Sequence, residues 1–172
     1  MEYREYNIRK TTIDDLKEIK NILCLYFGKF PEKHGATDDI ENKYMVAIYN
    51  NEVVSITGIL PLNKSEYDGY EITWTCTKLE HRHKGLIINM LKECEKNLPN
   101  DGKPIYCSCW RIKDNKYINM KNVMKSLGYK IKTKNHKTRL FPINEYCSDC
   151  IYSEFNCHCV DDLYYKKRDN NI

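Results

Sequence analysis

Two stretches of this chain carry residue types and spacings that can do chemistry. The first is TCTKLEHRHKGLIINMLKECEKNL, residues 75–98. A β-branched and aromatic run stops at Thr77, a short basic turn with a glycine follows, and a helical pattern starts at once. The first amide groups of a helix lack intrahelical acceptors, and the helix dipole adds positive charge at that end. Such a turn is an anion site suited to phosphate. Gly85 lets the backbone approach the anion closely, and Arg82 and Lys84 add charge. The plainer reading is a strand-to-helix loop with solvated basic side chains. An Arg-x-x-Gly tetrad alone is a common coincidence, so the turn needs its context.

The second stretch is CSDCIYSEFNCHC, residues 147–159. Its spacing is C-x2-C-x6-C-x-C, and its two close pairs match what a tetrahedral thiolate zinc site needs. Cys147, Cys150, Cys157 and Cys159 are therefore the expected ligands of a structural zinc, in a small knuckle. Alternatively, Cys107 and Cys109, which alternate onto one face of a strand, share a site with two of these tail cysteines. Cys76, inside an apolar strand, reads as a buried, inert thiol.

The rest of the composition narrows the class. The chain has 172 residues, enough for one compact domain with a small appendage. No apolar run approaches the ~20 residues of a membrane span, and the start, MEYREY, lacks the apolar stretch of a signal peptide. Nine cysteines, an odd number, argue against a secreted disulfide framework. A reducing cytoplasm is the expected location. The 28 basic and 24 acidic residues leave a net charge of +4. That excess is too small for a dedicated nucleic-acid binder, and the lysines at 130, 132, 134 and 137 read as the solvated face of an edge strand.

The elements that position these residues follow from hydrophobic period. Strands are expected over 3–10, 44–49, 53–61, 70–77, 104–110 and 129–134, with a shorter one in KTRLFPI. Helices are expected from Thr12 to Gly28, near 38–44, from 86 to about 98, and over 115–127. Asn50-Asn51 joins two strands in a tight turn. Mixed alternation of this kind gives an α/β (α+β) fold, a central sheet with helices on both faces.

The whole order resembles the GNAT acyltransferase superfamily, bacterial type with a cysteine-rich tail. Its signature after the fourth strand is Q/R-x-x-G-x-G/A, then a helix. Arg82, Gly85 and the apolar Leu86 match it, and Leu127-Gly128-Tyr129 matches the family's Leu-Gly-Phe or Leu-Gly-Tyr. The resemblance covers residues 3 to about 141. Two positions depart from it. Ile87 stands where the signature ends on a small residue, and Met124 where the family often has its general-acid Tyr.

The resemblance implies a mixed, largely antiparallel sheet splayed between strands 4 and 5, over residues 1–144, with the knuckle at 145–172. It implies an acetyl-CoA-dependent N-acetyltransferase working by direct attack of an amine on the thioester. The pyrophosphate would sit on Arg82, His83, Lys84, Gly85, Leu86 and Ile87. The thioester would lie near Thr75, Cys76 and Thr77, whose backbone N–H groups polarise a carbonyl. Glu71 would be the base and Tyr117 the acid. Trp74 and Trp110 fall near the expected cleft. The partner implied is a small-molecule or peptide amine, with a homodimer left open. The alternative is a catalytically degenerate CoA-binding or zinc-tail interaction module.

Overall fold

The computed structural model describes residues 6–64, 67–112, 120–136 and 159–168. Seven strands run in chain order: β1 (Asn7–Lys10), β2 (Met45–Tyr49), β3 (Glu52–Lys64), β4 (Tyr67–Thr77), β5 (Ile105–Ile112), β6 (Lys130–His136) and β7 (Cys159–Lys166). The helices are α1 (Leu16–Phe27), α2 (Phe30–Lys33), α3 (Leu86–Lys96) and α4 (Lys121–Ser126). The strands form one sheet in the order β1-β2-β3-β4-β5-β7-β6. β4 and β5 are parallel, pairing Tyr70 with Ile105 and Glu71 with Tyr106. The registers of β1–β2, β2–β3, β5–β7 and β6–β7 are antiparallel. The β4–β5 register ends at Glu71, which is the splay expected between the fourth and fifth strands. The segment expected as a tail, 145–172, contributes β7 to this sheet, between β5 and β6.

The contacts divide into two compact units. The first comprises Met1–Leu60 with Thr73–Leu98, and the second Pro61–Ile72 with Pro99–Ile172. In the first unit, Val46 pairs with Ile56, and Met45 and Ala47 pair with Thr57 and Ser55. Alternate residues face opposite ways. Val46, Val53 and Ile56 pack with Ile19, Ile22 and Leu23 of α1. Met45, Ala47 and Val54 pack with Leu86 and Met90 of α3. Helices therefore cover both faces there. A register shift between Ala47 and Ile48 brings Val53, three residues from Ile56, onto the same face as Ile56.

The second unit has a more aromatic core, with Leu62, Tyr106 and Leu163 buried beside Tyr67 and Tyr165. α4 stops at Gly128, whose φ of +80° favours glycine although a Cβ there would meet nothing within 4 Å.

The helix expected near 38–44 does not form. α2 lies earlier, with Pro31 in its first turn. Asp39 and Asn42 adopt φ of 43° and 57°, which no helix continues through. The turns that result are tied down by Tyr44, whose hydroxyl donates to the Ala36 carbonyl at 2.8 Å. The Lys43 ammonium donates to the Gly35 and Asp38 carbonyls, each at 2.7 Å. The short strand expected in KTRLFPI and residues 115–119 of the helix expected over 115–127 fall outside the described residues; α4 lies within the rest of that range.

Candidate functional site

β4 delivers the chain to the basic turn. Its last residues are fixed by a row of buried and half-buried hydroxyls shared with β3. Ser55 Oγ and Thr77 Oγ1 are 2.8 Å apart, Thr57 Oγ1 and Thr75 Oγ1 are 2.6 Å apart, and Ser55 also donates to the Cys76 carbonyl. Trp74 sits at φ 50°, a left-handed backbone inside a strand. A bulky residue rarely adopts that region, and backbone held there clusters beside functional sites. Its ring meets Phe27 of α1 edge-on at 5.7 Å. The sequence carries no sign of this kink, because a tryptophan is not a turn residue.

The turn itself runs through one 3-10 turn, Leu79–His81. His83 and Gly85 then take φ of 61° and 72°. Gly85 is the residue before α3, at φ 72°, ψ 8°. Left-handed residues in series curl successive N–H groups into an anion-binding concavity. The amides of Gly85, Leu86, Ile87 and Ile88 have no backbone acceptor among the described residues; the first helical amide with one is Asn89, bonded to the Gly85 carbonyl at 3.2 Å.

The basic side chains do more than float in solvent. Arg82 Nε donates to the Thr77 carbonyl at 3.1 Å, and its guanidinium lies 5.3 Å from the Tyr26 ring centre. It therefore clamps the turn to the end of β4. Lys84 Nζ donates to the Tyr6 hydroxyl at 2.8 Å, and that hydroxyl lies 2.9 Å from His81 Nδ1. Tyr49 completes the cluster, 5.2 Å from Tyr6 and 5.1 Å from His81 between ring centres. Tyr6 and Tyr49 were not singled out by the sequence, because their approach to His81 is set by β1 and β2 pairing.

Cys76 is buried and its thiol is pushed far up by desolvation, so it stays neutral. Met124, where the family often has its acid, is fully buried core. Tyr117 and the tail cysteines Cys147, Cys150 and Cys157 lie outside the described residues. Cys159 opens β7 opposite Ile112.

The second unit gathers a different set. Glu71 is 6% exposed, and Cys107 and Cys109 are buried with their sulfurs 3.6 Å apart. Contact with Cys109 and burial raise the Cys107 thiol well above its ordinary range. Among the described residues, no group of three or more His, Cys, Asp or Glu side chains is placed to hold a metal ion. No described helix is long and apolar enough to cross a membrane.

A strand, a left-handed glycine turn and a helix whose leading amides have no backbone acceptor among the described residues form an arrangement suited to an anion. The sequence matches the profile described as an acetyltransferase (GNAT) domain over residues 7–109, more than half of the chain. The chain therefore belongs to the GNAT acetyltransferase family. Its fold is similar to that of a GNAT-family acetyltransferase from Streptococcus agalactiae, at 14% identity and TM-score 0.63, with 98% of this chain and 99% of that one covered. It is also similar to an agmatine N-acetyltransferase mutant in its apo form, at 8% identity and TM-score 0.69, covering 95% and 100%. An aminoglycoside 6'-N-acetyltransferase complexed with coenzyme A matches at 15% identity and TM-score 0.61, covering 94% and 96%. Among curated protein sequences none matches this chain.

Proposed function

We propose that this chain is an acetyl-CoA-dependent N-acetyltransferase. The observation that carries it is the set of amides at Gly85, Leu86, Ile87 and Ile88, which have no backbone acceptor among the described residues at the start of α3. The residues present fit the cosubstrate. Leading helix amides suit a pyrophosphate, and Gly85 places no side chain in the way. Arg82, His83 and Lys84 would surround the phosphates with positive or hydrogen-bonding groups. The Thr75–Thr77 edge of β4 would pair with the pantetheine arm as an added strand does, and its N–H groups would polarise the thioester carbonyl.

The amine nitrogen then attacks the carbonyl carbon. The new C–N bond forms, the C–S bond breaks, and the sulfur leaves as a thiolate that takes up a proton. Glu71 would receive the proton the amine loses, directly or through water. Acceptors of the two named relatives, agmatine and an aminoglycoside, are small-molecule amines, and we extend that class to this chain. Cys147, Cys150, Cys157 and Cys159 would hold a structural zinc, with the protein in the reducing cytoplasm; Cys150→Ser should then release one metal ion per chain, read by elemental analysis.

The test of the main reading is calorimetric titration with acetyl-CoA, followed by an assay of thiol release against a panel of amines. Saturable binding at one site per chain with amine-dependent thiol release is the expected result. Saturable binding with no turnover on any amine would favour the degenerate CoA-binding module. No binding by folded protein would overturn the reading.

A further inference from the structure

We infer that Tyr6 and His81 are positioning residues of the glycine turn: through a directed chain of hydrogen bonds they hold the Lys84 ammonium beside the start of α3, ready for the phosphates of the cosubstrate. The inference rests on the acetyl-transfer reading above and deepens it. All of its residues belong to the first unit.

The chain has one consistent direction. An ammonium group has only donors, so the Tyr6 hydroxyl accepts from Lys84 Nζ at 2.8 Å. A phenol has a single proton, and Tyr6 turns it to His81 Nδ1 at 2.9 Å. His81 then carries its own proton on Nε2, which lies 3.9 Å from Glu80 Oε1. The His81 side chain is only 11% exposed. Its ring stands at 90° to that of Tyr6, 5.7 Å away between centres, and 5.1 Å from that of Tyr49. Tyr6 and Tyr49 pack in turn on the cluster that holds Met45, Ala47 and Leu86, the first residue of α3. Strands β1 and β2 and the start of α3 thus fix the hydroxyl to which the lysine is tied.

Charge explains why such a device is needed. The start of a helix is its positive end, so a lysine there is unfavourable unless an anion is close. α3 has no acidic residue in its first turn. Of the nearby carboxylates, Glu52 is paired with Lys78 at 2.9 Å and Glu80 faces His81. A lysine side chain has many rotamers and loses entropy when one is imposed. The fold imposes one here, at the end of the helix where like charge repels it. A pyrophosphate on the turn supplies the counter-charge that makes this placement favourable.

The test is calorimetric titration with acetyl-CoA at low and at high salt, on protein of unchanged circular dichroism. Tyr6→Phe removes the hydroxyl and keeps the ring. It should weaken binding about fivefold at low salt, within the worth of one hydrogen bond. The deficit should shrink at high salt, where a positioned charge is screened; a general loosening of the fold would leave it unchanged. In a Lys84→Met background the same substitution should have no further effect, because the chain acts through the lysine. His81→Ala should repeat the loss, and His81→Asn, whose amide oxygen accepts a hydrogen bond, should restore part of it. Should Tyr6→Phe fail to fold, the two His81 variants decide. A Tyr6→Phe loss that persists in full without Lys84, or no loss at all, would overturn this proposal alone. Failure of the folded wild type to bind acetyl-CoA would overturn the transfer reading beneath it, and this inference with it.

Discussion

The turn in the first unit and the Ser108–Asp161 pair in the second are built in opposite ways. At the turn the working groups are backbone amides, aimed by two left-handed residues and a helix start. Between β5 and β7 the polar groups are side chains, Ser108 and Asp161, held by strand register. A site made of backbone tolerates almost any side chain outside its glycine. The fold itself is shared where identity falls to 15% or less, as in the similar structures above. A site made of side chains changes with each substitution. The family match ends at Cys109, so Asp161 lies beyond it. The comparison teaches that a site built from backbone and one built from side chains constrain the sequence differently.

The largest effect should come from breaking the backbone site. Gly85→Glu puts a carboxylate and a Cβ on a left-handed residue at the proposed phosphate site. Acetyl-CoA affinity should fall by about a hundredfold or more, through like-charge repulsion added to backbone strain. Calorimetry on protein of unchanged circular dichroism checks it. Retained affinity would remove the turn from the site.

Next in size is the packing that holds the turn. Met90 is fully buried, on α3 against Met45, Ala47 and Val54. Met90→Ala should cost about 2–5 kcal/mol, the range for a buried large-to-alanine change. Thermal unfolding reads it directly.

A smaller change should separate the two regions. A Cβ on Gly69 would overlap the Pro104 carbonyl oxygen and crowd Tyr106. That carbonyl accepts from the Tyr70 amide at 2.9 Å and so anchors the start of the β4–β5 pair. Gly69→Ala should destabilise by about 1–3 kcal/mol, as overpacking does. It should lower the unfolding temperature while leaving acetyl-CoA affinity close to the wild type. An equal loss of both would blur the distinction drawn here.

How much of this was legible in the sequence follows the same division. The strand–glycine–helix arrangement was readable because it depends on local order and one special residue, Gly85. Strand β7 was hidden: VDDLYYK has two acids at its centre, and nothing local says that Asp161 and Asp162 will be buried in a sheet. Their burial is a product of pairing with β5, a strand about fifty residues earlier. The short α2 was missed for a related reason. Thr37-Asp-Asp-Ile has the letters of a helix cap, but the left-handed Asp39 and Asn42 commit that segment to turns tied by Tyr44.

The smallest effect tests the first unit away from its turn. Arg9 donates two hydrogen bonds to Asp15, at 2.6 and 2.8 Å, and the Thr12 amide donates a third at 2.8 Å. The Arg9 hydrogen bond holds the Asp15 carboxyl below its ordinary range, and burial opposes this only in part. Arg9 is about a third exposed, so solvent screens the pair. Asp15→Asn should cost about 1 kcal/mol at neutral pH. The sign of the pH dependence follows from linkage. A carboxyl depressed in the folded state stabilises fully above its unfolded value of about 3.9, and the stabilisation fades as pH falls through the lower folded value. The gap in unfolding temperature between wild type and Asp15→Asn should therefore be constant from neutrality down to about pH 5 and close below pH 4. A gap that widened on acidification would mean that the Arg9–Asp15 pair is not what secures the entry to α1.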